Sequence, residues 1–504
     1  MNETPKTKSG WRILRRILIG LAVLATLIAI LYAEEDWRGK RAWENYKREW
    51  EAKDEKFDWQ AFVPPSVPDD QNFFTAPVFT NLLNGKIAMS TSRADGSYPD
   101  FRQPAYWAKG TMTDLKAWQT YYRNPTNASS ANEFPIASQP QTPAADVLLA
   151  FSKYDSAIEE LRRASQRPYS NIPLNYEDGF NAVNLEIPYF AALKRCSQVL
   201  QLRATAELVD GQSAKALDDV KLLLRLNDSI RNSPFLISHL VRLAIVSIAL
   251  QPVWEGLAEH KWSDEQLVAL DAELAKLDFL ADYEFAMRGE RAFAIASFEN
   301  QRRTREMIVP QEGGGVITNK LRFMPSAFFY QNELAFARMH QQWILPLVDM
   351  KTRIVSPEAL RRAEDANHAE MKHYSPYKVQ AVMVFPALDK AVIKFAFAQA
   401  SVDLARVACA LERYRLAHGQ YPEMLDALAP QFIGKLPHDI IGGQPLHYRR
   451  TDDPPSQGSG AAGGKFLLYS IGWNETDDGG QVALKKDGSE DREKGDWVWQ
   501  YPVK

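Results

Sequence analysis

Cysteine is nearly missing from this chain, with Cys196 and Cys409 the only two in 504 residues. Without a Cys-x-x-Cys or a Cys/His cluster, zinc and redox sites get no support from the sequence. The two thiols lie far apart on predicted helices. The plainer expectation is that both are buried and free, and one bridge in an oxidising compartment is the alternative. Histidine is also scarce, at eight residues, and neither His-Glu-x-x-His nor Gly-x-Ser-x-Gly occurs. Gly313-Gly314-Gly315 lacks the Lys-Ser/Thr and the preceding strand of a phosphate loop, and reads as a flexible loop. A basic excess is missing as well. The net charge of −3 gives no field for nucleic acid.

Charge-free apolar stretches long enough to matter are few, and one stands out. Ile17 to Ala33 carries no charged side chain, and as a helix would be about 25 Å long, near the lower limit for crossing a bilayer. Lys6, Lys8, Arg12, Arg15 and Arg16 precede it, and Glu34, Glu35 and Asp36 follow. The positive-inside rule then keeps the first residues cytoplasmic and exports the rest. A cleaved signal peptide is the competing reading. Leu31-Tyr32-Ala33 puts a bulky Leu where cleavage needs a small side chain, which favours an uncleaved single-pass anchor.

At 57.1 kDa, with 45% apolar and 24% charged residues, the chain has room for several domains and a real core. Trp43, Tyr46 and Trp50 fall on one face of a helix rising from the membrane. Pro64-Pro65-Ser66-Val67-Pro68 then forms a linker, and 71–143 reads as irregular. From Ala144 to Arg303 the pattern is helical. Pro188 is expected to open a helix running to Val209, Asp210-Gly211 to turn it, and Ala216, Val220, Leu223 and Leu224 to line the return helix. Phe235 to Leu250 is apolar but interrupted by His239 and Arg242, as in a buried core helix. Ser263-Asp264-Glu265-Gln266 is a capping box. Further helices are expected over Gln331–Val348 and Pro357–His373. The expected fold is mainly α, with boundaries at 1–33 (anchor), 34–143 (juxtamembrane helix and irregular region), 144–386 (helical-hairpin body) and 387–504 (a small α+β head).

The head begins with a helix from Ala387 to His418, closed by Gly419 and barred from restarting by Pro422. Strands are expected at Leu446–Arg450, Phe466–Ser470 and Trp497–Tyr501, three in an antiparallel sheet against the long helix. Ala410-Leu411-Glu412-x-Tyr414-Arg415 with Gly419-x-Tyr421-Pro422, then Pro437-x-Asp439, Gly443-x-Pro445 and Tyr448, then Ser470-x-Gly472, Gly479-Gly480 and Asp496-Trp497, run in this order. In that order they resemble the globular head of the major pseudopilin of type II secretion. The likeness covers about a fifth of the chain by these boundaries. No glutamate interrupts Ile17–Ala33, so the stalk differs from a pseudopilin's. The resemblance implies an assembly module on the periplasmic side of a bacterial inner membrane, with a calcium site around the final loop. Asn474 stands where the family has an aspartate, and Asp491 competes with Asp496 for the later acidic ligand.

Chemistry gives calcium separate support. Ca²⁺ takes six to eight oxygens, and Asn474, Thr476, Asp477, Asp478 and Asp496 are the candidate ligands. A solvated acidic turn is the alternative. Elsewhere, Glu370-x-x-His373 lacks a second copy, His340, His368 and His373 read as surface or satisfied helix residues, and Glu290-Arg291 reads as an ion pair. The function expected is structural or protein-interaction work in the envelope, with an unidentified protein partner. A hydrolase or carbohydrate-processing enzyme with its site in the helical body is the second expectation, and a polymer- or peptide-binding module the third.

Overall fold

The computed structural model describes residues 8–93, 106–124, 133–174, 176, 180–310, 316–322, 324–373, 375–451 and 464–502. The glycine triplet at 313–315 and the Gly/Ser loop at 452–463 lie outside them. The protein is mainly helical, with small antiparallel sheets. Its helices are α1 (Lys8–Glu51), α2 (Pro77–Leu83), α3 (Leu115–Arg123), α4 (Pro143–Phe151), α5 (Asp155–Ser165), α6 (Phe180–Val209) and α7 (Ser213–Asp228). They continue with α8 (Leu236–Ala258), α9 (Asp264–Leu274), α10 (Phe279–Thr304), α11 (Ser326–Met339), α12 (Pro357–Lys372), α13 (Val379–Leu388) and α14 (Ala391–His418). The strands are β1 (Glu306–Pro310), β2 (Val316–Lys320), β3 (Val348–Asp349), β4 (Ile354–Val355), β5 (His447–Thr451), β6 (Lys465–Ser470), β7 (Val482–Leu484), β8 (Glu490–Gly495) and β9 (Trp497–Trp499).

The chain divides into two compact units: Met1–Ala61, Arg291–Trp343 and Glu364–Pro386 in one, and Phe62–Glu290, Ile344–Ala363 and Ala387–Lys504 in the other. In the first, α1 runs unbroken for 44 residues. Its apolar part is wholly exposed, with no buried share, whereas its later half folds into the unit. Trp43 is 7% exposed and meets Phe57 edge-on at 5.7 Å between centroids, in a cluster with Ile295, Leu334 and Ala337. Tyr46 and Trp50 pack against that cluster, so the aromatic stripe is a core face. Gly39 lets α1 approach α11: a Cβ there would lie 3.2 Å from the Cα of Ala327. Arg291 is buried and pairs with Glu55 at 2.6 Å. His340 is fully buried with its ring on Phe336, and burial depresses it to about 3, so it is neutral. His368 and His373 are exposed.

In the second unit, α6 and α7 form the expected hairpin, turned at Gly211 with φ +78°. Pro188 does not open α6 but sits inside it. A proline there forfeits only the one bond to the carbonyl four residues earlier, and the helix persists on both sides. Arg203 pairs with Glu207 on its own helix at 3.3 Å and with Asp219 across the hairpin at 3.5 Å. Two-thirds of the most apolar stretch of α8 is buried, marking a core helix. There His239 bonds the Ser233 carbonyl at 3.0 Å and Arg242 pairs with Asp282. Glu290 accepts from the Leu236 amide at 2.8 Å. The capping box forms at Ser263 and Gln266. The stretch 71–143, expected to be irregular, carries α2 and α3. Asp114 caps α3 by accepting from Ala117 at 2.8 Å, a signal present in the sequence.

α14 is the spine of this unit, buried along most of its length from Ala391 to Glu412. Gly419 closes it with φ +78°. The sheet order is β5-β6-β9, antiparallel, with His447 opposite Tyr469 and Ser470 opposite Trp497. An unforeseen hairpin, β7-β8, is inserted before β9. Cys196 and Cys409 are free and buried. Cys196 lies 3.6 Å from the Met89 sulfur, and burial raises its thiol to about 12.

Candidate functional site

Three carboxylates of the head decide its geometry. Glu412, near the end of α14, accepts from Tyr421 at 2.9 Å, from Arg415 at 2.7 and 2.9 Å, and bonds His260 at 2.9 Å. Burial pushes this carboxyl up, but the hydrogen bonds from Arg415 and His260 and their charges outweigh it and hold it below the usual range. Asp439 is buried and stitches the turn to the sheet, accepting from Ser470 at 2.8 Å and from the amides of Ile441 and Ile471 at 3.0 and 2.9 Å.

The third is Asp496, 1% exposed just before β9. Its two oxygens accept from the amides of Asp478 at 3.3 Å and Gly480 at 2.6 Å. Burial raises its carboxyl above the ordinary aspartate range, ahead of the amide bonds that lower it. Asn474 donates to Asp478 at 2.9 Å. Asn474, Asp478 and Asp496 therefore form one hydrogen-bonded chain through the loop. Asp477 is engaged elsewhere: it accepts from Tyr469 and from the Gly479 amide, each at 2.9 Å, and meets His447 at 3.3 Å. Thr476 is exposed and donates to the Asn474 carbonyl at 3.2 Å. Asp491 pairs with Lys494 at 3.8 Å, so Asp496 is the acid that holds the loop.

The donor set is all oxygen, which suits a hard cation such as Ca²⁺. Asn474, Asp478 and Asp496 are linked to one another, but their oxygens, like those of Thr476 and Asp477, already have protein partners that a cation would have to displace. Among the described residues, no group of three or more His, Cys, Asp or Glu side chains is placed to hold a metal. Two glycines fix the loop's path. Gly472 has φ +67°, and a Cβ on it would come within 2.4 Å of the Gly495 carbonyl. Gly495, also at φ +67°, faces the Gln481 carbonyl at 2.7 Å in the same sense.

The β7-β8 hairpin also walls a cleft of about 510 Å³ whose lining includes Tyr106, Lys109, Lys394, Lys485, Glu490 and Arg492. Its carboxylates are spent on cations, Glu490 on Arg492 at 3.4 Å and Glu493 on Lys390 at 3.5 Å. Tyr106 donates to Glu490 at 3.1 Å, and burial raises its phenol to about 12. Among the described residues, both of these carboxylates are thereby held in ion pairs. The sequence signal that would have found its wall is Asp487-Gly488, a hairpin-turn dipeptide. Glu370, the half-motif residue, is paired with Lys378. Comparison with known protein families, curated proteins and solved structures finds no match for this chain.

Proposed function

We propose that the protein is a single-pass envelope protein that does structural or protein-interaction work in secretion or envelope assembly. Its bulk lies outside the inner membrane, and its head is of the pseudopilin kind. The observation that carries this reading is the exposed apolar part of α1, continuous with a folded half. A contiguous apolar surface of that size in water is unfavourable, and a bilayer satisfies it. The basic residues before it and the acidic ones after it set the direction. The head adds support by its design: Glu412, Asp439 and Asp496 are committed to holding α14, the turn and the loop in place. Calcium bound at Asn474, Asp478 and Asp496 would stiffen the final loop further, by neutralising adjacent carboxylates. The test is fractionation of the full chain. Retention in membranes through alkaline carbonate supports the anchor, and release into the soluble fraction refutes it. Crosslinking from the head surface must then recover one specific envelope protein, and labelled lipid alone would refute the assembly role.

A further inference from the structure

The first unit carries a two-stranded hairpin after the end of α10. β1 and β2 pair antiparallel from Glu306↔Lys320 to Pro310↔Val316, as a two-stranded sheet by themselves. Their sequences, Met307-Ile308-Val309-Pro310 and Val316-Ile317-Thr318, are apolar. An isolated hairpin of this kind is marginal in water and needs a surface to cover it.

Where the hairpin sits follows from helix directions. Asp36 meets Ala327 at 2.6 Å, Gly39 lies against Ala327 and Tyr330, Trp43 shares a cluster with Leu334, and Arg338 stands over Tyr46 at 5.7 Å. Each step along α1 is matched by an equal step along α11, so the two helices run parallel. α10 runs the other way: Phe298 meets Phe336 at 5.8 Å, Arg302 lies over Tyr330 at 4.7 Å, and Arg305 reaches Ser326 at 2.8 Å. The end of α10 and the start of α11 are therefore both at the level of Asp36, three residues beyond the apolar stretch. The hairpin base closes at that level, by the Leu321 amide on the Arg305 carbonyl at 2.8 Å.

We infer that the β1-β2 hairpin is a second membrane contact, seated on the outer leaflet of the bilayer that α1 crosses. This rests on α1 being a membrane anchor. The feet of the hairpin are basic and exposed at Arg303, Lys320 and Arg322. Among the described residues none of these three has an ion-pair partner, and anionic phosphate headgroups supply one. Of the acids at the same level, Asp36 is engaged by the Ala327 amide and Glu35 by Arg38 and Tyr377, while Glu34 is exposed on α1. Glu306 remains at the start of β1. Met324 at 39% exposure adds apolar surface just before α11, and Trp37 at 60% adds an exposed aromatic ring on α1 next to Asp36. A five-residue strand is about 17 Å long, but two open edges keep it out of the hydrocarbon centre. The seat is the headgroup–acyl boundary.

The test places an NBD fluorophore at Ile308→Cys in the full chain, in vesicles of phosphatidylcholine with phosphatidylglycerol. The native thiols are buried and stay unlabelled. A label at Leu27→Cys reports the anchor. Quenching of the 308 label by nitroxide at acyl carbon 5, about twofold stronger than at carbon 12 and weakened by Lys320→Glu with Arg322→Glu, is expected. A quenched 27 label with an unquenched 308 label overturns the hairpin inference and leaves the anchor standing. A blue-shifted 308 label that lipid nitroxides do not quench means that protein covers the hairpin, and also overturns it. If neither label is quenched and both emit as in water, the anchor reading and this inference fail together.

Discussion

The carboxylate of Asp36 caps a helix that begins almost three hundred residues later, by accepting the amide of Ala327 at 2.6 Å. Pro325, at the cap position of α11, has no side chain to do this. A negative group at a helix start also favours the helix dipole. Asp36→Ala is expected to cost about 1 kcal/mol. Limited proteolysis in detergent should show new cuts before Ala327, and unchanged digestion would contradict the capping role.

Gly472 makes a sharper prediction. Its positive φ and the nearby Gly495 carbonyl leave no place for a methyl group. Gly472→Ala should destabilise the head by about 2 kcal/mol or more. Thermal unfolding followed by tryptophan fluorescence measures it, because Trp473 and Trp497 flank the contact. A shift within error would mean the loop has another path.

Glu333 predicts a pH dependence in the first unit. It is 2% exposed, and burial raises its carboxyl to about 8 despite Arg302 nearby. A raised folded value means the contribution is full below the unfolded value near 4.5 and is lost as pH rises through about 8. Stability should fall between about pH 4.5 and 8, and Glu333→Gln should flatten that fall by about 1–3 kcal/mol. A slope that is the same in the variant would assign the effect elsewhere.

The calcium proposal separates two neighbouring aspartates. Calorimetry on the full chain in detergent is expected to show heat on calcium addition that Asp478→Asn and Asp496→Asn abolish. Asp477→Asn, whose Oδ1 can still accept from Tyr469 and the Gly479 amide and which gives up only the charge beside His447, should retain most of the heat. No heat in the parent chain ends the calcium proposal, and equal loss in all three variants contradicts this choice of ligands.

Much of the fold was legible wherever the signal was local. Ser263 with Gln266 started α9, Gly211 turned α6 into α7, and Gly419 ended α14, because each needs only neighbours in sequence. The three-stranded sheet was legible from its short apolar strands, but β7-β8 was passed over although Asp487-Gly488 marks its turn. β1 and β2 were hidden by the glycines between them, which read as a loop. The two-unit division was not legible, since it depends on Trp43 meeting Leu334 and Gly39 meeting Ala327. In the candidate loop, the residue types were readable but their partners were not. Only tertiary structure turns Asp477 to Tyr469 and Asp496 to the amides of Asp478 and Gly480.

Which side of a bilayer the folded chain lies on decides whether the protein is exported. Because both native cysteines are buried, single cysteines at Ser9 and at Met424, the latter 66% exposed, can be read cleanly with a membrane-impermeant maleimide on intact spheroplasts. Met424→Cys should label without lysis and Ser9→Cys only after it. Labelling of Met424→Cys only after lysis would place the head inside the cell and contradict the exported, anchored protein described above.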